Sequence, residues 1–414
     1  MKKLQTNSHL YSLSLLSTLF FMWGFITVLN DILIPHLKGL FDLTYARTML
    51  IQFSFFGAYF ITSIPAGTII SKIGYKRGIV MGLSVTGIGA ILFFPASMLI
   101  SYPFFLTALF ILASGITILQ VAANPFVALL GPPETASSRL NLTQAINSLG
   151  TTIAPYFGSM LILDSEGVFR SPAEEAASVQ GPYVAIALVL GMLALLVAFS
   201  KLPSISDETL EEYHDTNHFG RKSAWQYRHL VLGALAIFLY VGGEVTIGSF
   251  LVNYLSDPAI GNLQESTAGK MVSLYWGGAM VGRFIGAAVL QRIKPQIVLS
   301  FCSVAAIILI LISTNTSGEI AMYSILAVGL FNSIMFANIF TMSMEGLGKF
   351  TGEGSGILCM AIVGGAVIPL LTGFLADYSG LQNALMAVVV CYAYILYFGT
   401  KGYKRGGEAV GNRQ

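Results

Sequence analysis

Long apolar stretches alternate with short polar breaks along the whole chain. A bilayer's hydrocarbon core demands about 20 residues of helix, and windows near that length reveal such helices. Twelve stretches qualify: residues 9–37, 46–72, 76–97, 102–130, 138–163, 180–201, 228–256, 266–291, 295–314, 319–345, 355–377 and 381–401. Each reads as a membrane-crossing helix, so the expected fold is all-α and integral to the membrane. An even number of spans places both termini on one side. With that side cytoplasmic, Lys2, Lys3, Lys72, Lys76, Arg77, Arg139, Lys201, Arg221, Lys222, Arg228, Arg292, Lys294, Lys349, Lys401, Lys404, Arg405 and Arg413 fall inside. Only Lys38, Arg47, Arg170 and Lys270 fall outside. Cytoplasmic loops carry the excess of cations, so the termini are expected in the cytoplasm.

One polar break is much longer than the rest. Residues 203–227 hold Asp207, Glu208, Glu211, Glu212 and Asp215 beside Arg221 and Lys222, and read as a short surface helix or tether. The break divides the chain into an N-terminal six-helix bundle (1–201), a cytoplasmic linker (202–227) and a C-terminal six-helix bundle (228–414). His214 and His218 would face one way on a helix there, but without a third ligand they read as a solvated pair. A weak repeat supports the division. Gly150 precedes Pro155 by five residues in the fifth span, and Gly364 precedes Pro369 by five in the eleventh. Secondary transporters are built from such repeated halves, with substrate at the midplane between them.

Composition narrows the picture further. The 414 residues are 55% hydrophobic and 10% charged, with mean hydropathy +0.74, against about 25% charged in a soluble domain. A net charge of +2 gives no reason to expect a nucleic-acid partner. Cys302, Cys359 and Cys391 stand singly in apolar stretches and imply neither a disulfide nor a metal. Lys2 and Lys3 are not followed by a short apolar segment with a small-residue cleavage site, so the first span is expected to be retained. No Gly-rich Lys loop and no His/Cys cluster occurs, so neither an enzyme nor a cofactor is expected.

Against this apolar background the buried polar residues carry the chemistry. Asp31, beside Asn30 in the first span, and Glu244, in the seventh, are carboxylates within membrane helices, a placement that costs about 2.5–3.5 kcal/mol on insertion scales. Such groups face a cavity, an ion or a partner, and both are candidates for cation coupling. Gln120 and Asn124 lie one turn apart in the fourth span, and Asn332 and Asn338 lie in the tenth. Asn141, Gln144, Asn147 and Thr151 form one stripe in the fifth. A single amide in a membrane helix holds helices together, but a stripe of amides both donates and accepts, as sugar hydroxyls require. Trp23 and Trp276 stand inside spans, where a flat ring can pack on the apolar face of a pyranose or simply fill the core. Gly278, Gly282 and Gly286 make a smooth packing face on the eighth span. Arg283, next to that face, needs a partner, and Glu345 at the inner end of the tenth span is expected to provide it as part of a cytoplasmic gate. The basic turn from Gly67 to Arg77 is similar to a loop signature of the major facilitator superfamily, with Ser71 where that pattern usually has Asp.

Several runs together resemble one family. Asn30-Asp31-Ile32-Leu33, Ala122-Ala123-Asn124-Pro125-Phe126, Arg139 to Ser148, Tyr240-Val241-Gly242 and Gly282-Arg283-Phe284 resemble the fucose/proton symporters of the major facilitator superfamily. Within it, the closer likeness is to bacterial glucose/galactose transporters. The resemblance implies two pseudo-symmetric six-helix halves, alternating access, a monosaccharide substrate and a bacterial inner (plasma) membrane location, with the chain working as a monomer. It matches Asp31 to a first-helix carboxylate implicated in coupling and sugar binding, and Gln144 and Asn147 to sugar-contacting amides. The fucose transporter's proton-carrying Glu is Gln120 here, while Glu244 stands where that transporter has Gln. An amide cannot titrate, so sodium is the expected driving ion, held at Asp31 with Asn30 or at Glu244, because a hard cation suits oxygen ligands. Proton coupling through either carboxylate, in a hexose or fucose symporter, is the alternative. A passive facilitator or an exporter of amphipathic compounds shares the fold but makes less use of buried carboxylates and an amide stripe.

Overall fold

The computed structural model describes residues 2–43, 45–158, 172–200, 202 and 221–405; the side chains of 2–10, 29–36, 38–39, 45–49, 155–156, 158, 172, 175 and 265–266 lie outside the description. Most of the expected linker, including His214 and His218, therefore falls outside the described residues.

Twelve helical rods account for most of the described chain. The first six are α1 (Lys2–Leu40), α2 (Tyr45–Ile73), α3 (Tyr75–Met98), α4 (Tyr102–Leu129), α5 (Ala136–Gly158) and α6 (Gln180–Phe199). The second six are α7 (Arg228–Ser256), α8 (Glu265–Val289), α9 (Pro295–Asn315), α10 (Gly318–Asn332, resuming as Met335–Met344), α11 (Thr351–Met360, resuming as Gly364–Ser379) and α12 (Leu381–Met386 with Val388–Tyr397). Among the described residues eleven rods are long and apolar enough to cross a membrane. Over its described length α5 is the polar one, with Asn141, Thr143, Gln144, Asn147, Ser148, Thr151 and Thr152 interrupting its apolar surface.

The helix pairings repeat between the halves. In the first half α1 packs on α5, α3 on α4 and α6, and α2 on α4; in the second α7 packs on α11, α9 on α10 and α12, and α8 on α10. The glycines of the sequence repeat explain one of these pairings. A Cβ on Gly150 would collide with the Phe21 carbonyl on α1, and a Cβ on Gly364 would collide with the Phe238 carbonyl on α7. At both places only glycine lets the backbones meet.

The halves touch through α2 on α11 and α5 on α8. These contacts concentrate on the side where the α4–α5, α8–α9 and α10–α11 loops and residues 221–227 lie, hereafter the linker side. Ser137 and Thr341 share a 2.6 Å hydrogen bond, and Ser138 donates to the Ala287 carbonyl at 2.6 Å. Asn141 donates to Asn338 Oδ1 at 3.2 Å, and Ser355 to the Val121 carbonyl at 2.8 Å. Gly67 lies directly against Gly352 and Gly356. Hydroxyls, amides and glycines thus close the linker side.

Candidate functional site

Between the halves, beyond this closure, lies a cavity of about 220 Å³. Drug-sized sites run about 300–1,000 Å³, so this volume suits a small solute. The N-terminal wall is formed by Trp23 and Thr27 of α1, Phe55, Phe56 and Tyr59 of α2, Gln120 of α4, and Gln144, Asn147 and Thr151 of α5. The three α5 residues follow at spacings of three and four, which places them on one helix face. Gln120 Nε2 donates to the Tyr59 hydroxyl, and Asn147 Nδ2 donates to the Phe20 carbonyl at 2.7 Å, which fixes how the amides are presented. The Trp23 ring packs against Phe20 with centroids 5.1 Å apart. Rings and neutral amides side by side can grip a polyol through both its apolar and its hydroxyl faces.

The opposite wall is chemically different. Tyr240 and Glu244 of α7, Arg283 of α8, and Ser333 and Phe336 of α10 line it. Glu244 and Tyr240 are one turn apart on α7, so the Tyr240 hydroxyl reaches Glu244 Oε1 at 2.9 Å. Arg283 Nη2 stands 4.0 Å from the same oxygen. The guanidinium also donates through Nε to the Ser333 carbonyl at 3.3 Å and through Nη1 to the Ser148 hydroxyl of α5. One side chain therefore touches both halves at the level of the cavity.

Behind Glu244 lies a buried polar network. Tyr275 donates to the Glu244 backbone carbonyl at 3.2 Å and accepts from Asn332 Nδ2 at 2.7 Å. Asn332 Oδ1 accepts from Tyr392 at 2.8 Å. The Asn332 carbonyl, where α10 is interrupted, lies 3.1 Å from the Tyr240 hydroxyl.

The structure brings together Trp23, Gln120, Gln144, Asn147, Glu244 and Arg283 at the cavity and places Asn124, Asn332, Asn338, Trp276 and Glu345 outside its lining. Asn332 is a scaffold group, fully buried, with its amide taken up by two tyrosines. Asn338 pairs with Asn141 in the linker-side closure. Asn124 is fully buried one turn from Gln120, outside the cavity lining, and among the described residues its amide makes no hydrogen bond to nitrogen or oxygen. Trp276 stands two turns from Arg283 along α8, about 10 Å away by helix geometry, outside the cavity lining and edge-on to Tyr275 at 5.1 Å. The expected Arg283–Glu345 gate does not form. Glu345 bonds Arg405 at 2.6 Å near the end of the described chain, because it follows the last turn of α10, whereas Arg283 sits at cavity depth with Glu244. Asn30 and Asp31 belong to α1, but their side chains lie outside the described residues.

Tyr59, Phe55, Phe56 and Phe336 were not marked by the sequence pattern. Tyr240 carried a usable signal, its spacing of four from a membrane carboxylate on a helix.

Comparison with known proteins agrees with this architecture. The model of the Major Facilitator Superfamily matches residues 14–362. A glucose/galactose transporter of Brucella abortus is 56% identical over 394 residues, covering 95% of this chain and 94% of that protein. The L-fucose-proton symporter of Escherichia coli is 36% identical, covering 95% and 93%. A crystal structure of the transporter FucP in the outward conformation superposes with a TM-score of 0.85 at 33% identity, covering 95% of this chain and 98% of that one.

Proposed function

Starting from the Major Facilitator Superfamily, to which this chain belongs, we propose that it imports a single monosaccharide of the glucose or galactose type together with a proton. The chain is a multi-pass sugar transporter of the membrane and not an enzyme. The observation that carries the finer reading is the pairing of two walls across one small cavity. Neutral amides and Trp23 face a buried carboxylate, so sugar and ion would be sensed in one volume. Basic residues gather on the linker side, including Lys72, Lys76, Arg77, Arg292, Lys294 and Lys349, which supports a cytoplasmic linker side. The described conformation is then closed to the cytoplasm, with its cavity addressed from outside.

The choice of ion turns on Glu244. Sodium requires several converging oxygen ligands, and a guanidinium 4.0 Å from Glu244 Oε1 competes for the position an ion would take. A proton needs only the carboxylate itself, with Arg283 as counter-charge when the proton leaves. The Escherichia coli relative reported above is named a proton symporter, and none of the relatives reported above is named for sodium. Asp31, with Asn30, is the second proposed coupling group.

Uptake of labelled glucose into proteoliposomes tests this, with an inward proton gradient or an inward sodium gradient, for wild type, Glu244→Gln and Asp31→Asn. The expected result is accumulation that follows the proton gradient and is lost in Glu244→Gln. Accumulation that follows sodium and ignores pH would overturn the ion assignment. Accumulation of neither glucose nor galactose under either gradient would overturn the substrate.

A further inference from the structure

The hydrogen bonds behind Glu244 contain one hydroxyl that differs from its neighbours. Tyr275 has one hydrogen and one acceptor, the Glu244 carbonyl. Tyr392 has one hydrogen and one acceptor, Asn332 Oδ1. Tyr240 also has one hydrogen but faces two acceptors, Glu244 Oε1 at 2.9 Å and the Asn332 carbonyl at 3.1 Å. A phenol donates one hydrogen bond and can accept another, and its hydrogen turns to suit. The second acceptor exists because α10 stops at Asn332, and the last carbonyls of a helix lack intrahelical donors. Asn332 is held there by Tyr275 and Tyr392, so the carbonyl has a fixed address.

We propose that Tyr240 is a positioning residue that keeps Glu244 hydrogen-bonded in both of its protonation states. The proposal rests on Glu244 as the proton carrier. With Glu244 ionised, the Tyr240 O–H points at Oε1 and supports the charge beside Arg283. When a proton from cavity water reaches the carboxylate, the new acid O–H donates to the Tyr240 oxygen, and the Tyr240 hydrogen turns to the Asn332 carbonyl. One proton is gained, no proton leaves Tyr240, and the Glu244 carboxyl keeps a hydrogen bond to Tyr240 in both states, which spares it the cost of standing buried and unpaired. Among the described residues the ionisable groups around Glu244 are Arg283 and Tyr275 of α8, Tyr392 of α12 and Tyr240 itself. Of the three tyrosines, only Tyr240 bonds the carboxyl oxygen.

The test separates proton turnover from sugar movement. Exchange of labelled external for unlabelled internal sugar at equal pH needs no net proton release, whereas accumulation down a proton gradient needs Glu244 to lose and regain its proton in every cycle. Tyr240→Phe should lower the ratio of proton-driven accumulation to exchange by about tenfold or more, the size of a hydrogen bond to a charged group. Tyr275→Phe, which loses a hydroxyl of the same network, should leave the ratio of the two rates unchanged. Tyr240→Phe with wild-type accumulation, or with both rates reduced together, would overturn the proposal. Glu244→Gln distinguishes the two layers: if it still accumulates sugar, the carrier assignment fails, and if it does not while Tyr240→Phe does, only the role of Tyr240 fails. Infrared difference spectra of wild type between high and low pH, with and without ring-labelled tyrosine, test the idea without a variant. A tyrosine C–O band should shift together with the carboxylic acid band, and a carboxylic acid band alone would overturn the proposal.

Discussion

Replacing Gly67 with alanine would force the halves apart where they now touch. A Cβ at Gly67 would stand 2.6 Å from the Gly352 carbonyl oxygen and 3.2 Å from Gly356 Cα. Both are backbone atoms of α11, so no rotamer change relieves the contact. Because α2 and α11 belong to different halves, the simplest relief is separation on the linker side. Overpacking of this kind costs about 1–3 kcal/mol, which shifts a two-state equilibrium by about 5- to 150-fold. Cys359 provides the readout, since it is fully buried on α11 one turn from Ser355 in the same contact. With Cys302 and Cys391 replaced by alanine, a membrane-permeant maleimide should label Cys359 about fivefold faster, or more, in Gly67→Ala than in its parent. Gly282→Ala is the control. Its Cβ would meet the Leu330 carbonyl at 2.5 Å and the Ser333 hydroxyl, but α8 and α10 share a half, so stability should fall without faster labelling. Equal labelling of Gly67→Ala and its parent would refute the reasoning, as would equal acceleration by Gly282→Ala.

Three further outcomes follow from the same structure. Ser355→Ala removes the 2.8 Å bond to the Val121 carbonyl; at about 1 kcal/mol net, Cys359 labelling should rise by about fivefold, and no rise would remove that bond from the closure. The cross-half hydrogen bonds of the closure join neutral groups, so labelling should change by less than about twofold between low and molar salt, whereas a charged latch would weaken as the Debye length shrinks to about 3 Å. Gln144→Leu and Trp23→Ala should each weaken glucose binding by about tenfold, measured by calorimetry, with little change in thermal unfolding in detergent; unchanged affinity would take them out of the sugar site.

Much of this architecture was legible in the sequence because the membrane enforces it. Apolar length alone locates the rods, and the glycines at 150 and 364 announced two equivalent helix contacts that the structure places against Phe21 and Phe238. The fifth and fourth spans gave up Gln120, Gln144 and Asn147 because amides are conspicuous among apolar neighbours. What could not be read was which polar residue meets which. The sequence offers Glu345 as a partner for Arg283, yet helix depth pairs Arg283 with Glu244, and Glu345 with Arg405. Asn332, Asn338 and Gln120 look alike in sequence, but one is consumed by tyrosines, one by the opposite half, and only Gln120 lines the cavity. Aromatic residues such as Phe55, Phe56 and Tyr59 are common in lipid-facing helices, so those turned to the cavity carried no distinguishing pattern.

The polarity of α5 has a consequence for how the chain is made. Ribosome and translocon deliver helices to the bilayer in order, and each enters alone only if its own transfer from water is favourable. Among the described residues eleven rods meet that condition by length and composition, whereas α5 carries Asn141, Gln144, Asn147 and Thr151 along one face. Its amides and hydroxyls must be handed from the aqueous channel to protein surfaces, first to α1 and α4 and finally to α8. Two of those partners precede α5 in the chain and α8 follows it by more than a hundred residues, so the polar face finds its last cover only once α8 has been made. A nascent chain halted before α8 would present that polar stripe to lipid, making it a natural substrate for membrane quality control.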